Sequence, residues 1–307
     1  MIEYKIERLS DDLYAIDAWM EEHPERLACY LFDTPERVLI EVGPSATLHH
    51  LTAALEEMGI DDLATIVVTH IHIDHAGGAG QIARHFPNAR IGVHSRGARH
   101  LSDPTRLWSS AVQVFGEEWL TSKWGPMVPI DPDRLLVLDD GDRVPLGGGR
   151  ELEALYTPGH AKHHITYYED QSGGMFVGDS LGLCYPHGHA IQPVTPPPDF
   201  DPVAATEQMH RMGSIGPAFL GFAHFGPNYE VNSALQDSER KLWEWVRFVE
   251  GIGQMDDREA IDALRNWTLA QYQEEGWSDD DIRTYDRSTF WPMQATGIRR
   301  WLATQST

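Results

Sequence analysis

Cysteine is scarce in this chain: the 307 residues include only Cys29 and Cys184. Two cysteines cannot build a disulfide framework, and their spacing fits neither a zinc ribbon nor a redox Cys-x-x-Cys motif. Long hydrophobic runs are absent as well, so the sequence predicts no membrane-spanning helix. The first residues lack the basic-then-apolar pattern of a secretory signal. From these absences we expect a cytoplasmic protein.

Basic residues are also few. There are 24 Lys and Arg against 47 Asp and Glu, which gives a formal charge of −23. A surface this acidic repels the phosphate backbone of nucleic acids and the anionic leaflet of a membrane. We therefore expect neither of these partners. The apolar fraction of 41% still suffices for a core, so the acidity does not indicate a disordered chain.

The first 230 residues alternate short apolar runs with turns rich in Gly and Pro. The β-branched run at residues 64–69 predicts a buried strand, and the leucine spacing at residues 46–58 predicts a helix. Such alternation in two successive blocks predicts a layered α/β domain over residues 1–231. Residues 97–132 lie between the blocks and are interpreted as a candidate cap insertion. Residues 232–307 are predicted to be a helical extension packed on the domain.

One segment dominates the sequence. Residues 69–78 carry the pattern His-x-His-x-Asp-His, formed by His70, His72, Asp74 and His75. Imidazole nitrogen and carboxylate oxygen are the ligands that Zn²⁺, iron and Mn²⁺ prefer. His70 and His72 are two residues apart, so they point to the same side of an extended backbone. Asp74 and His75 follow where the chain turns into a helix, and they can face a second position.

Three later strand ends add side chains of the same kind. His160 follows a predicted strand and a Pro-Gly turn, Asp179 follows the end of another strand, and His224 follows a third. Loops at the carboxyl ends of strands are where α/β proteins bind ligands. The total of five histidines and two aspartates is enough for two metal ions that share one carboxylate.

In their combination and order these motifs resemble the metallo-β-lactamase fold superfamily, over about residues 10–230. The resemblance implies a four-layer αββα sandwich with two divalent transition-metal ions at one edge. Zinc is the first expectation, with iron or manganese as alternatives. The implied ligands are His70, His72 and His160 for one metal and Asp74, His75 and His224 for the other, with Asp179 bridging. A hydroxide between the ions would be the nucleophile.

Within the superfamily the chain is most similar to glyoxalase II-like and lactonase-like prokaryotic hydrolases. The shared segments are Thr-Pro-Gly-His-Ala-x-His-His at residues 157–164 and Gly-Ala-Arg-His-Leu-x-Asp-Pro at residues 97–104. The chain departs from the superfamily at Glu41, where an Asp is usual. That position supports the ligands, so the longer carboxylate is expected to orient a histidine and to change the geometry of the site.

The candidate catalytic residues are Asp74, Asp179 and Tyr185. Tyr185 is included because related hydrolases place an aromatic hydroxyl near this point, where it would donate a proton to the leaving group. Other residues have two interpretations. A role at the site and an ordinary structural role both stay open for His163, His164, His187, His189, Trp108, Trp119 and Trp124.

The main hypothesis is a dinuclear metal-dependent hydrolase that cleaves an ester-like bond. Carboxylic esters, lactones and thioesters come first, with phosphoesters as a further option. The negative field disfavours polyanions and favours a small neutral or weakly charged substrate. The alternatives are a mononuclear iron sulfur dioxygenase of the same fold and a non-catalytic metal-binding module. A homodimer contact through Trp291 and Trp301 stays open.

Overall fold

The structure is a computed structural model that describes residues 4–184 and 191–305. Its first sheet has seven strands, which lie in the same order as in the chain. They are β1 (Ile6–Arg8), β2 (Leu13–Asp17), β3 (Ala28–Phe32), β4 (Val38–Ile40), β5 (Thr65–Val67), β6 (Arg90–His94) and β7 (Leu135–Leu138). The pairs from β1 to β4 are antiparallel, and those from β4 to β7 are parallel.

The second sheet has six strands in the order β13-β12-β11-β10-β9-β8. Their bounds are β8 (Arg143–Gly147), β9 (Arg150–Tyr156), β10 (Ile165–Glu169), β11 (Gly174–Gly178), β12 (Phe219–Phe222) and β13 (Gly226–Asn228). β10 is antiparallel to both β9 and β11, whereas β11 and β12 are parallel. Strands β9, β11 and β12 therefore run in one direction, and their carboxyl ends lie at the same edge.

Helices follow the strands of the first sheet and form most of the C-terminal part. The earlier ones are α1 (Leu48–Glu57), α2 (Ile73–Ala76), α3 (Ala79–His85), α4 (Ser95–Ser102), α5 (Thr105–Phe115) and α6 (Glu117–Lys123). The later ones are α7 (Pro202–Ile215), α8 (Val231–Gly251), α9 (Asp257–Glu274), α10 (Asp279–Ser288) and α11 (Trp291–Gln305). No helix within the described residues is both long and apolar enough to cross a membrane.

Three apolar layers hold these elements together. Leu51 of α1 and Ile66 of β5 belong to a cluster outside the first sheet. Phe32 belongs to a second cluster between the two sheets. Leu220 of β12 and Leu242 of α8 belong to a third cluster outside the second sheet. The order helix, sheet, sheet, helix confirms the four-layer αββα sandwich that the sequence predicts.

The C-terminal helices share their core with the second sheet. Buried residues of α8, α9 and α11 lie in the same cluster as Met175 and Val177 of β11. We therefore propose that residues 232–307 complete the outer helical layer of the sandwich, starting in α8. Helices α4 to α6 correspond to the proposed cap at residues 97–132, although α4 begins two residues earlier, at Ser95.

Replacement of Phe32 tests the packing between the sheets. Its side chain is fully buried, and its ring meets that of Phe176 edge-on with centroids 5.6 Å apart. Phe32→Ala removes this ring and leaves a cavity, so we expect the free energy of unfolding to fall by about 3–5 kcal/mol. Urea unfolding measures the change. The control Val137→Ala, at a 49% exposed position of β7, should cost under about 0.5 kcal/mol. Equal stability of the two variants would contradict the inter-sheet core.

Candidate metal centre

Four strand ends supply the polar side chains that the sequence singles out. The residues after β5 carry the His-x-His-x-Asp-His motif and run directly into α2. His160 lies in the turn after β9, Asp179 follows β11 at once, and His224 follows β12 after one residue. The structure brings these side chains together at one edge of the sandwich. They are His70, His72, Asp74, His75, His160, Asp179 and His224.

The first group consists of His70, His72 and His160. His72 Nδ1 lies 2.9 Å from His70 Nε2 and 2.9 Å from His160 Nε2. Burial lowers the pKa of His70 and of His160, and it lowers the pKa of His72 to about 4. The three rings are therefore neutral near pH 7. A neutral imidazole carries the lone pair that a metal ion binds.

Hydrogen bonds on the far side of two rings decide which nitrogen faces the group. His70 Nδ1 is 3.0 Å from the Thr69 hydroxyl, which itself donates to Glu41 Oε1. A hydroxyl has one proton to donate, so His70 Nδ1–H donates to Thr69 and Nε2 keeps its lone pair. His160 Nδ1–H donates to the Val194 carbonyl at 3.3 Å, so His160 Nε2 also keeps its lone pair.

The second group consists of Asp74, His75 and His224. His75 Nε2 is 3.1 Å from His224 Nε2, and Asp74 Oδ2 lies 3.7 Å from both nitrogens. His224 Nδ1–H donates to the Arg26 carbonyl at 2.6 Å, which turns Nε2 toward the group. Burial disfavours charge on His75, but the Asp179 and Asp74 carboxylates outweigh it and raise the His75 pKa. The group therefore stabilises a positive charge at its centre.

Asp179 lies between the two groups. Its Oδ1 is 3.3 Å from His75 Nε2 and 3.7 Å from His224 Nε2, whereas its Oδ2 is 3.6 Å from His160 Nε2. Oδ1 is buried and has no hydrogen-bond partner among the described residues. Burial would raise the pKa of Asp179, but His75 and His224 lower it well below its usual range. Asp179 is therefore an anion with one oxygen turned to each group.

The backbone before Asp179 fixes its position. The Asp179 N–H donates to His164 Nε2 at 3.2 Å, and His164 Nδ1–H donates to the Thr157 hydroxyl at 2.8 Å. Gly178 has a φ of +51°, and a Cβ there would overlap both the Thr69 hydroxyl and the His164 ring. Glycine is thus required at this turn. Of the two interpretations of His164, the structure supports a role at the site.

Glu41 lies beside both groups: it contacts Thr69, which precedes His70 of the first group, and it lies close to His75 of the second. Its side chain is buried, and its Oε1 accepts the Thr69 N–H at 3.3 Å as well as the Thr69 hydroxyl. The same oxygen is 3.4 Å from His75 Nδ1. Glu41 therefore acts on His70 through Thr69 and lies beside His75 directly. Thr69 is not among the candidate site residues that the sequence predicts, although its place immediately before His70 is a signal for it.

Two cavities of about 290 and 530 Å³ open onto this centre, and both are lined by Asp74 and Asp179. The smaller cavity is bounded by C-terminal residues including Phe290, and the larger by α4 and α5. Phe115 and Trp124 line both cavities, and Trp119 lines the smaller one. Trp108 is not among the described residues that line either cavity, whereas His163 lines the larger one. The candidates Tyr185, His187 and His189 lie outside the described residues.

Comparison with known proteins places the chain in a family. Residues 28–224 match the family model described as the metallo-beta-lactamase superfamily. A metallo-beta-lactamase fold-containing protein of Sulfurisphaera tokodaii, ST1585, is 31% identical over 218 residues, which cover 70% of this chain and 78% of that protein. A hydroxyacylglutathione hydrolase of Gloeothece citriformis is 28% identical over 159 residues. This match covers 50% of this chain and 49% of the relative, so the chain spans about half the length of that enzyme.

Solved structures agree with this placement. The crystal structure of ST1585 superposes with a TM-score of 0.63 and 28% identity, over 77% of this chain and 87% of that one. A metallo-beta-lactamase family protein from Thermus thermophilus, TTHA1429, superposes with a TM-score of 0.71 over 97% and 95% of the two chains, and its 20% identity shows the fold alone. The family match covers more than half of the chain and includes all seven polar side chains of the centre. The chain therefore belongs to the metallo-beta-lactamase superfamily and is one of its metal-dependent hydrolases.

Proposed function

We propose that the chain is a dinuclear hydrolase that cleaves an ester-like bond in a carboxylic ester, a lactone or a thioester. One observation carries the proposal: the two oxygens of Asp179 face different histidine groups, with Oδ1 3.3 Å from His75 Nε2 and Oδ2 3.6 Å from His160 Nε2. A carboxylate in this position suits a bridge between two cations. The proposed ligands are the seven residues that the sequence predicts.

The donor atoms suit divalent transition metals. In the first group three neutral imidazoles turn ring nitrogens toward one point, and His72 Nδ1 lies 2.9 Å from each of the other two. In the second group the carboxylates favour a positive charge, and Asp179 Oδ1 is a buried acceptor without a hydrogen bond among the described residues. Cations in both groups would satisfy these atoms. Nitrogen and oxygen donors fit zinc, and they also fit iron or manganese.

Two such ions, when bound, lower the pKa of a water molecule and polarise the carbonyl group of the substrate. The chain itself contributes proton transfer and positioning. Asp74 lines both cavities with its side chain 21% exposed, so its carboxylate can accept a proton from the attacking water and pass it to the leaving group. Asp179 stays ionised because His75 and His224 hold its pKa low.

The relatives support an acyl substrate. The protein of Gloeothece citriformis is named for a hydroxyacyl derivative of glutathione. Only half of that enzyme's length is matched. The proposal therefore extends to the acyl bond that is cleaved and does not name the alcohol or thiol to which the acyl group is attached. Apolar walls that include Phe115 and Trp124 suit a small organic acyl group beside the centre.

A hydrolysis panel tests the reaction class. The protein is reconstituted separately with zinc, iron and manganese and given a carboxylic ester, a lactone, a thioester and a phosphodiester. We expect turnover of an ester-like substrate at least about 100-fold above that of His72→Ala, which removes a proposed ligand. His210→Ala is the control, because His210 is an exposed ring bonded to Glu239 away from the centre. Oxygen consumption with glutathione persulfide, without hydrolysis of any panel member, would overturn the proposal.

The bridging role of Asp179 has its own test. Asp179→Asn keeps the shape of the side chain but removes its charge and one anionic oxygen. We expect the purified variant to hold at most one metal per chain, where the wild type holds two, and to lose activity by about 100-fold or more. Elemental analysis gives the metal content. The control Asp170→Asn alters an exposed carboxylate next to β10. Full metal content with full turnover in Asp179→Asn would rule out the bridge.

Glu41 is expected to hold the histidines in place. Glu41→Gln keeps the length of the side chain, but its neutral oxygen is a weaker acceptor for the Thr69 hydroxyl and N–H. We predict that metal retention against a chelator weakens by about 10- to 100-fold. Glu57→Gln, at an exposed position of α1, is the control. Unchanged retention in a folded Glu41→Gln variant would show that the ligands orient without it.

A further inference from the structure

A cluster of basic side chains lies on the wall of the larger cavity. Arg99 and His100 come from α4, and Arg106 comes from α5. They belong to the same cavity of about 530 Å³ that reaches Asp74 and Asp179. Arg99 and His100 also belong to the Gly-Ala-Arg-His-Leu-x-Asp-Pro segment, which the proposed chemistry does not use.

The three basic groups are close to one another. Arg99 Nε donates to His100 Nε2 at 3.1 Å. Burial lowers the pKa of His100, and the charges of Arg99 and Arg106 lower it further against the opposing effect of Asp103. His100 is therefore neutral near pH 7, and the two guanidinium groups supply the positive charge. Asp103 is engaged elsewhere, because its Oδ1 accepts the Thr105 N–H at 3.2 Å.

Neither arginine has an ion-pair partner within the described residues, although acidic residues outnumber basic ones 47 to 24. The remaining carboxylate on the described cavity wall, apart from Asp74 and Asp179, belongs to Asp199. It pairs with Lys162, whose Nζ is 3.2 Å from Asp199 Oδ1. Arg99 and Arg106 therefore keep guanidinium N–H donors available at the cavity. In a chain of charge −23 they form a locally positive part of the cavity wall.

Much of the remaining cavity wall among the described residues is apolar. It includes Ile71, Leu107, Ala111 and Val114 together with Pro196, Pro197 and Pro198. A ligand that spans the cavity would thus place a hydrocarbon segment on this wall and a charged end at the arginines. A guanidinium binds a carboxylate with two parallel hydrogen bonds, which makes this the best-matched anion for a single charge.

We propose that Arg99 and Arg106 bind a terminal carboxylate of the substrate, at the end away from the bond that is cleaved. The proposal rests on the proposed hydrolase function and narrows its substrate to a half-ester or half-thioester of a short dicarboxylic acid. Hydrolysis adds one water molecule across the acyl bond and releases the dicarboxylate and an alcohol or thiol. A single carboxylate is compatible with the acidic surface, which repels polyanions.

Activity measurements compare two p-nitrophenyl esters of the same acid with the metal-loaded protein. One ester ends in a free carboxylate and the other in its neutral methyl ester, for acids of four, six and eight carbons. We expect kcat/KM to favour the charged ester by roughly tenfold at the best length, mainly through KM, and less at high salt. In the double variant Arg99→Gln/Arg106→Gln this ratio should fall toward one. Arg96→Gln, at an exposed position of α4 that is not among the described residues lining the cavity, should retain the wild-type ratio.

Binding measurements separate this proposal from the hydrolase proposal. Titration calorimetry on the metal-loaded protein compares adipate with hexanoate, succinate with butyrate, and suberate with octanoate. Both members of each pair have one carboxylate that can reach the metals. Only the dicarboxylate has a second one, which can reach the arginines. We expect at least one dicarboxylate to bind roughly tenfold more tightly than its partner, and the double variant to lose this preference. This result would support the subsite even if no ester were hydrolysed. No preference in the wild type, or a preference that survives in the double variant, would overturn it.

Discussion

Five imidazoles and two carboxylates face one another at one edge of the sandwich, and the surrounding structure depends on this arrangement. Buried polar atoms are costly unless they are paired. The outer nitrogens of His70, His160 and His224 are paired with the Thr69 hydroxyl and with two backbone carbonyls. Their inner nitrogens face the cluster, where a cation would satisfy several of them at once. This explains why loops from both sheets meet here.

The two sheets hold these loops at one edge of the sandwich. Strands β9, β11 and β12 share one direction, so their carboxyl ends deliver His160, Asp179 and His224 to one edge. The apolar layer between the sheets fixes the position of β5, which precedes His70. Helices α4 to α6 and the C-terminal helices then wall the two cavities. The rings of Phe115 in α5 and Phe290, which lies between α10 and α11, have centroids 4.8 Å apart, so the two walls are in contact.

Much of the fold and most of the site could be predicted from the sequence, because their signals are local. The β-branched run that contains β5 and the leucine spacing of α1 mark buried elements. The His-x-His-x-Asp-His pattern is one compact segment, and His160, Asp179 and His224 each follow a strand end. The resemblance to a family then implied how these residues divide into two groups.

The features that sequence analysis missed depend on contacts that are distant in the chain or on weak patterns. β8 contains Pro145 and ends at Gly147, a composition that is tolerated because β8 is an edge strand. α7 has few large apolar residues, and its start depends on Asp201, whose side chain accepts two backbone N–H groups. The contact of Thr69 with Glu41 joins residues 28 positions apart. Phe290, which lines the smaller cavity, lies more than 200 residues after the His-x-His-x-Asp-His motif in the chain.

A crystal structure of the protein purified with its metals, with anomalous diffraction collected at the absorption edges, tests the central claim most directly. The account predicts one anomalous peak at His70, His72 and His160 and a second at Asp74, His75 and His224. It also predicts that Asp179 contacts the first metal through Oδ2 and the second through Oδ1. A single peak, or two peaks of which only one contacts Asp179, would contradict the account.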